Sequence, residues 1–502
     1  MDRRRFLAGS LAMALTGAMG QQRLSPLLKK RPNILLFVTD DQQQNAMSAY
    51  GNPILKTPNM DRIAKEGVLF KNAFVTNSLC GPSRASILTG VYSHVHGVIS
   101  NGDGPDFVQQ PGIPERFMTF PERLRRAGYS TFIAGKWHLN SDPQGFDQSV
   151  ILRGQGVYND PEFIANGAPI RFRGYVDDIV VDQAIEMLDQ RPKDRPFLLL
   201  CQFKAPHRAW IPPKRHEHAF ENVNIPFPPQ FFDDKAGRSQ AVQQAAIDLA
   251  DLPDFNVDPN LPREERLKKN LDLLTKNYYR VLLGVDDNVG RMLDYLEKNG
   301  ILDETAIFYT SDNGFFLGEH GFVDKRLMYE PSIRVPFLIR YPKLFASGQE
   351  RTEMVLNVDF APTFLQMANL PIPPDLQGKS IVVPLMRNSM PSWRHSFLYE
   401  YYEYPAVHCV RKHRGVRTER YKLLHFWESP EEFELYDLQE DPDEAHNLAN
   451  ESSYQTIKTN LQKELARLRR NLGDFDLPGP APIAQPCTMG IGDVAPREGP
   501  KW

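Results

Sequence analysis

Cysteine is scarce in this chain: 4 residues among 502, at positions 80, 201, 409 and 487. So few in so long a chain exclude a disulfide-stapled scaffold. Cys201 sits inside an apolar run and reads as a reduced core residue. Charge of one sign is also lacking. The 59 Lys and Arg face 62 Asp and Glu, a net charge of -3, which excludes an electrostatic case for nucleic acid or an anionic membrane. Any anionic ligand must be met by locally gathered positive charge. Long apolar runs are missing: residues 6–18 are too few for a stable spanning helix, so no stable membrane insertion is expected. Internal repeats are missing too, which excludes repeat architectures. The remainder is an ordinary globular composition, 41% hydrophobic and 24% charged, ample for a large core in about three domains or fewer.

The first residues read as a targeting segment. Arg3, Arg4, Phe6 and Leu7 match the twin-arginine export pattern, and the apolar stretch behind them has the layout of a signal peptide. Residues 1–22 are expected to be removed on export by the twin-arginine translocase, leaving a periplasmic or secreted protein. The rest divides into an α/β catalytic domain over residues 30–372, a C-terminal α+β subdomain over 373–475 and a Pro/Gly-rich tail over 476–502.

Four apolar, β-rich runs stand out, at residues 33–39, 129–134, 197–203 and 305–310. Near-continuous apolar runs of this length fit strands buried on both faces of a parallel sheet. Helical patterns at 178–190 and 271–299 lie between them, the second ending at Gly300 as a C-cap. The expected fold is α/β: a large, mostly parallel sheet with helices on both faces. Residues 221–266 read as an irregular insertion near the active-site mouth. Beyond 373, strand-like pieces at 395–402, 407–411, 415–418, 421–426 and 434–438 and a helix at 454–472 predict a smaller antiparallel sheet.

The residues just past each strand carry the chemistry. The first run ends in Asp40-Asp41, the second in Lys136-Trp137-His138, the third in Ala205-Pro206-His207 and the fourth in Asp312-Asn313-Gly314. In open α/β sheets, ligands bind at the carboxyl ends of the strands. A lone Asp-Asp pair usually caps a helix or shapes a turn. Joined by Asp312 and Asn313, it makes a set of hard oxygen ligands suited to calcium or magnesium over zinc. Pro82 suits the first turn of a helix, which places Cys80 at an N-terminus that favours an anion.

Cys80-Gly81-Pro82-Ser83-Arg84, followed by Leu88-Thr89-Gly90, resembles the signature of the type I, formylglycine-dependent sulfatases. Gly135-Lys136-Trp137-His138 resembles their second signature, and the resemblance covers roughly residues 31–448; Asn140, where many relatives have Gly, is a departure at a position without chemistry. The resemblance implies an alkaline-phosphatase-like fold. It implies that a formylglycine-generating enzyme oxidises Cys80 to an aldehyde, leaving three cysteines and at most one disulfide. One hydroxyl of the hydrated aldehyde would attack sulfur, and loss of a proton from the other would expel sulfate. Asp40, Asp41, Cys80, Asp312 and Asn313 would hold calcium, with magnesium the alternative. Arg84 would orient the diol and the carboxylates, and Lys136 would contact sulfate. His138 would be the base that breaks down the covalent intermediate, while His207 and Lys325 would bind sulfate and protonate the leaving alkoxide.

The segments 399–405 and 413–423 resemble the branch acting on 6-O-sulfated N-acetylglucosamine in glycans such as heparan, which makes a sulfated carbohydrate the expected substrate. His408, Arg411, His413 and Arg417 are the candidates to read the sugar; the alternative for each is sheet packing. Other readings remain open: an aryl or choline sulfatase or one acting on another sugar, a phosphonate or phosphodiester hydrolase on the same fold, and a non-catalytic glycan-binding relative.

Overall fold

A computed structural model describes residues 28, 30–102, 112–152, 154–387, 393–474 and 487. The expected export segment and, except for Cys487, the expected tail lie outside the described residues. A ten-stranded sheet runs in the order Gln349–Arg351, Val68–Phe70, Phe337–Arg340, Thr305–Ser311, Asn33–Thr39, Phe197–Gln202, Ser130–Lys136, Gln148–Leu152, Glu162–Ala165 and Ala168–Arg171. The five central strands, from Thr305–Ser311 to Gln148–Leu152, are parallel. Antiparallel pairings occur on both flanks.

The apolar runs divide themselves between two cores because successive side chains leave opposite faces of a strand. Leu35 and Phe37 join one cluster with the helices Val176–Gln190 and Arg263–Lys298. Ile34, Leu36 and Val38 join the other with the helices Cys80–Thr89, Phe120–Arg126 and Phe360–Met367. The predicted layering of helix, sheet and helix is what forms. Past residue 372 the chain still serves the large sheet, since Ile381, Val382, Leu385 and Trp393 lie in its second core.

Register brings the functional strand ends to one edge. Thr39 pairs with Ser311, Val38 with Gln202, and Gly135 with Gln202. Gly135 has φ +105, and a Cβ there would stand 1.8 Å from the Gln202 carbonyl oxygen, so only glycine lets the strands close up beside Lys136.

The smaller sheet is antiparallel, in the order Ser396–Tyr401, His413–Thr418, Tyr421–Phe426 and Glu432–Asp437. The helix Gln455–Leu472 packs on it through Leu461 and Leu465. The piece 407–411, expected as a strand, instead forms turn and irregular backbone. Cys409 in that turn is bonded to Cys487. Among the described residues no helix is long and apolar enough to cross a membrane.

The segment before the helix Arg263–Lys298 is a strap joining the two sheets. Ser239 donates from its backbone N and Oγ to Glu434 Oε1, at 2.7 and 2.8 Å. Arg238, 2% exposed at its side chain, reaches Tyr329 and Tyr436 hydroxyls, His320 Nδ1 and the Glu444 carbonyl. Further on, the Ala246 N–H donates to the His408 carbonyl and the Val323 N–H to the Ile247 carbonyl. The insertion thus runs between His408 and the segment carrying Lys325.

Candidate active site

Asp40 and Asp41 follow strand Asn33–Thr39, Asp312 and Asn313 follow Thr305–Ser311, and Lys136 ends Ser130–Lys136. Cys80 is the first residue of a helix whose ten residues are all buried. Its thiol donates to Asp40 Oδ1 at 3.4 Å and receives the Lys325 ammonium at 3.2 Å. The Gly81 N–H at the same helix start donates to Asn101 Oδ1.

Three carboxylates and three cations interlock around the thiol. Arg84 grips Asp312 Oδ2 through Nε at 2.9 Å and Nη2 at 2.8 Å, and donates to the Lys136 carbonyl and Gln202 Oε1. Lys136 pairs with Asp40, and Lys325 with Asp41. Burial opposes ionisation of Asp40, but Lys136 and the other cations outweigh it and hold that carboxyl well below its usual range. Burial pushes Asp41 up, and burial with the charge of Asp40 raises Asp312 to about 7. Burial and the Asp40 carboxylate also push the Cys80 thiol up, so as cysteine this residue is a poor thiolate nucleophile.

The donor set suits a hard divalent cation. Oxygen atoms of Asp40, Asp41 and Asp312 lie within 4.8 Å of one another. Asn313 donates its amide N–H to Asp41 Oδ1 at 2.7 Å, while its buried Oδ1 has no hydrogen-bond partner. A buried carbonyl oxygen left unpaired beside three carboxylates is the acceptor such a cation satisfies.

His207 lies with Nε2 3.8 Å from Asp41 Oδ2 and Nδ1 2.9 Å from the Arg208 carbonyl. His138 is held low by burial, the Lys136 ammonium acting next, and its buried Nδ1 has no partner. Asp41, His138, Asp324 and Arg326 all adopt left-handed φ values of 70, 53, 82 and 86°. Such backbone costs on the order of 1 kcal/mol per residue and gathers at functional sites.

The family profile described as Sulfatase matches residues 32–370. The chain belongs to the sulfatase family. It is a sulfuric ester hydrolase of the alkaline-phosphatase-like fold. A second profile, N-sulphoglucosamine sulphohydrolase C-terminal, matches residues 318–471. The chain is 41% identical to an N-acetylglucosamine-6-O-sulfatase of Bacteroides thetaiotaomicron, over 89% of this chain and 88% of that one. It is 31% identical to the N-acetylglucosamine-6-sulfatase of Homo sapiens, over 74% and 67%. A solved structure in complex with D-glucosamine-2-N,6-O-disulfate, described as its substrate, superposes with a TM-score of 0.80 at 40% identity, covering 89% of this chain and 99% of that one.

The sugar-reading candidates divide. His408 stands beside the sulfatase cluster, its Nε2 3.3 Å from Asp324 Oδ2. Arg411, His413 and Arg417 are each buried and held by partners within the protein. Arg411 pairs with Glu432 and two main-chain carbonyls. His413 is fully buried among the rings of Tyr399, Tyr401 and Phe426. Arg417 pairs with Glu330 and lies over the Phe74 ring. Sequence reasoning missed Gln155, which accepts from the Lys136 ammonium, and Asp324 beside Lys325. It also missed Lys204, although that residue lies just past a strand at the edge already singled out.

Proposed function

We propose that this sulfatase removes 6-O-sulfate from N-acetylglucosamine, or from N-sulfated glucosamine, at the end of a glycan. The similarity at 41% to an N-acetylglucosamine-6-O-sulfatase carries the reading, supported by a complete set of candidate catalytic residues around Cys80. In this reading Cys80, oxidised to formylglycine by a formylglycine-generating enzyme, supplies an aldehyde hydrate as nucleophile. Asp40, Asp41, Asp312 and Asn313 hold calcium, with magnesium the alternative, and the ion supplies charge neutralisation at the sulfuryl oxygens.

The chain's own residues do the rest. Arg84 holds Asp312 in place and keeps the strand ends together. Lys136 and Lys325 bring two ammoniums to the sulfate. His207 and Lys325 deliver a proton to the sugar oxygen, a poor leaving group that needs one. His138, neutral because it is buried beside Lys136, accepts a proton when sulfate is released. Asp324 and His408 offer a carboxylate and an imidazole at the edge of the site to sugar hydroxyls. Arg3, Arg4, Phe6 and Leu7 support twin-arginine export to the periplasm or beyond.

The test is sulfate release from N-acetylglucosamine 6-sulfate by protein co-expressed with a formylglycine-generating enzyme and supplied with calcium. Release is the expected result. A protein with confirmed aldehyde that leaves this sugar untouched would overturn the substrate and keep the sulfatase.

A further inference from the structure

Lys204 is 2% exposed, yet its ammonium makes no ion pair among the described residues. It donates to the Gln155 carbonyl at 3.0 Å and the Arg208 carbonyl at 3.3 Å, and lies 4.9 Å from the Tyr158 ring centre. Burying an ammonium without a counter-charge is costly, so the contacts it makes there need a reason. The Arg208 carbonyl is the same oxygen that accepts from His207 Nδ1. Tyr158, beneath the ammonium, donates its hydroxyl to the His207 carbonyl. The His207 N–H in turn donates to the Lys204 carbonyl at 3.1 Å.

His207 is therefore held at three points by one small assembly. The shared carbonyl fixes Nδ1 as a donor and leaves Nε2 as the nitrogen facing Asp41. A lone carbonyl in a turn can swing; one gripped from the far side by an ammonium cannot swing without breaking that contact. Gln155 anchors the ammonium, and its side chain accepts from Lys136 across the site. We propose that Lys204 is a positioning residue for His207: it locks the Arg208 carbonyl that holds Nδ1–H and so turns Nε2, which carries the transferable proton in the doubly protonated ring, toward the leaving oxygen.

The inference rests on the reading of His207 as a leaving-group acid. The experiment is a double-mutant cycle on sulfate release from N-acetylglucosamine 6-sulfate, using the full, matured enzyme with calcium. Lys204→Met, His207→Ala and the double variant are compared in kcat and KM, with melting curves to confirm folding. Lys204→Met should lower kcat by about tenfold or more with little change in KM, the size usual for a supporting partner one layer out. In the His207→Ala background the same substitution should cost almost nothing. An equal loss in both backgrounds would overturn the positioning role while leaving His207 as the acid. A His207→Ala enzyme of undiminished kcat would overturn that assignment and the inference with it. Should Lys204→Met not fold, Lys204→Leu, which likewise removes the donor, replaces it in the same cycle.

Discussion

At the scale of single residues, the site is an exercise in charge balance. Three buried carboxylates face Arg84, Lys136 and Lys325, and the unpaired Asn313 oxygen is the acceptor the proposed cation would satisfy. Asp312→Ala removes a carboxylate from the cation site and the partner of Arg84 together. Calcium titration calorimetry should show binding lost, and sulfate release should vanish. Cys80→Ala should fold with a near-normal melting temperature and turn over no substrate, because an alanine methyl offers no thiol to convert to the aldehyde; measurable turnover would count against that chemistry. The meeting of Asp40, Asp41, Asp312 and Asn313 was legible because residues just past neighbouring parallel strands come to one sheet edge. The internal partners of Arg411 and Arg417 were not legible, because an arginine in a basic hairpin looks the same whether it meets solvent or a distant glutamate. Glu330 lies 87 positions from Arg417, and nothing local announces it.

At the scale of elements, the strands read well because burial on both faces writes an unbroken apolar run. The strap did not, because irregular chain is held by partners remote in sequence. Gly135 illustrates how tightly the strand ends fit. Gly135→Ala should cost about 3 kcal/mol or more, since the added methyl meets backbone and cannot be relieved by a rotamer; thermal melts will show it. His94 joins its short helix to strand Ser396–Tyr401 through Glu400, at 2.6 Å, and to the Leu472 carbonyl at 3.0 Å. Burial alone would lower its pKa, but the Glu400 carboxylate and the Leu472 carbonyl outweigh burial and raise it to about 9. An unfolded chain releases that proton near pH 6.5, so the folded state holds it more tightly. The stabilisation, about 3 kcal/mol, is complete below pH 6.5 and lost as pH rises through 9. His94→Gln should therefore lower the melting temperature at pH 6 and hardly change it at pH 10.

At the scale of the molecule, two sheets are sewn together by a strap that neither could have ordered alone. Arg238 is its central stitch. Arg238→Met takes the ion-pair partner from half-buried Asp233 and the nearby positive charge from buried Glu434, and should cost about 3 kcal/mol. Hydrogen exchange should speed up first across residues 233–248 and the facing strand Glu432–Asp437, ahead of the large sheet. Uniform protection loss would show the strap to be no separate unit. Because this segment also contacts His408 and the stretch leading to Lys325, the same variant should raise KM for the sugar substrate.

Cys80 shows no exposed surface once the helix it begins is in place. Under the proposed chemistry, an oxidising enzyme would reach it only while the chain is still open. The active fraction of any preparation would then be a branching ratio, decided molecule by molecule in a race between oxidation and folding. Slower synthesis or a cooler culture should raise specific activity, and no treatment of the finished, folded stock can recover the molecules that folded first.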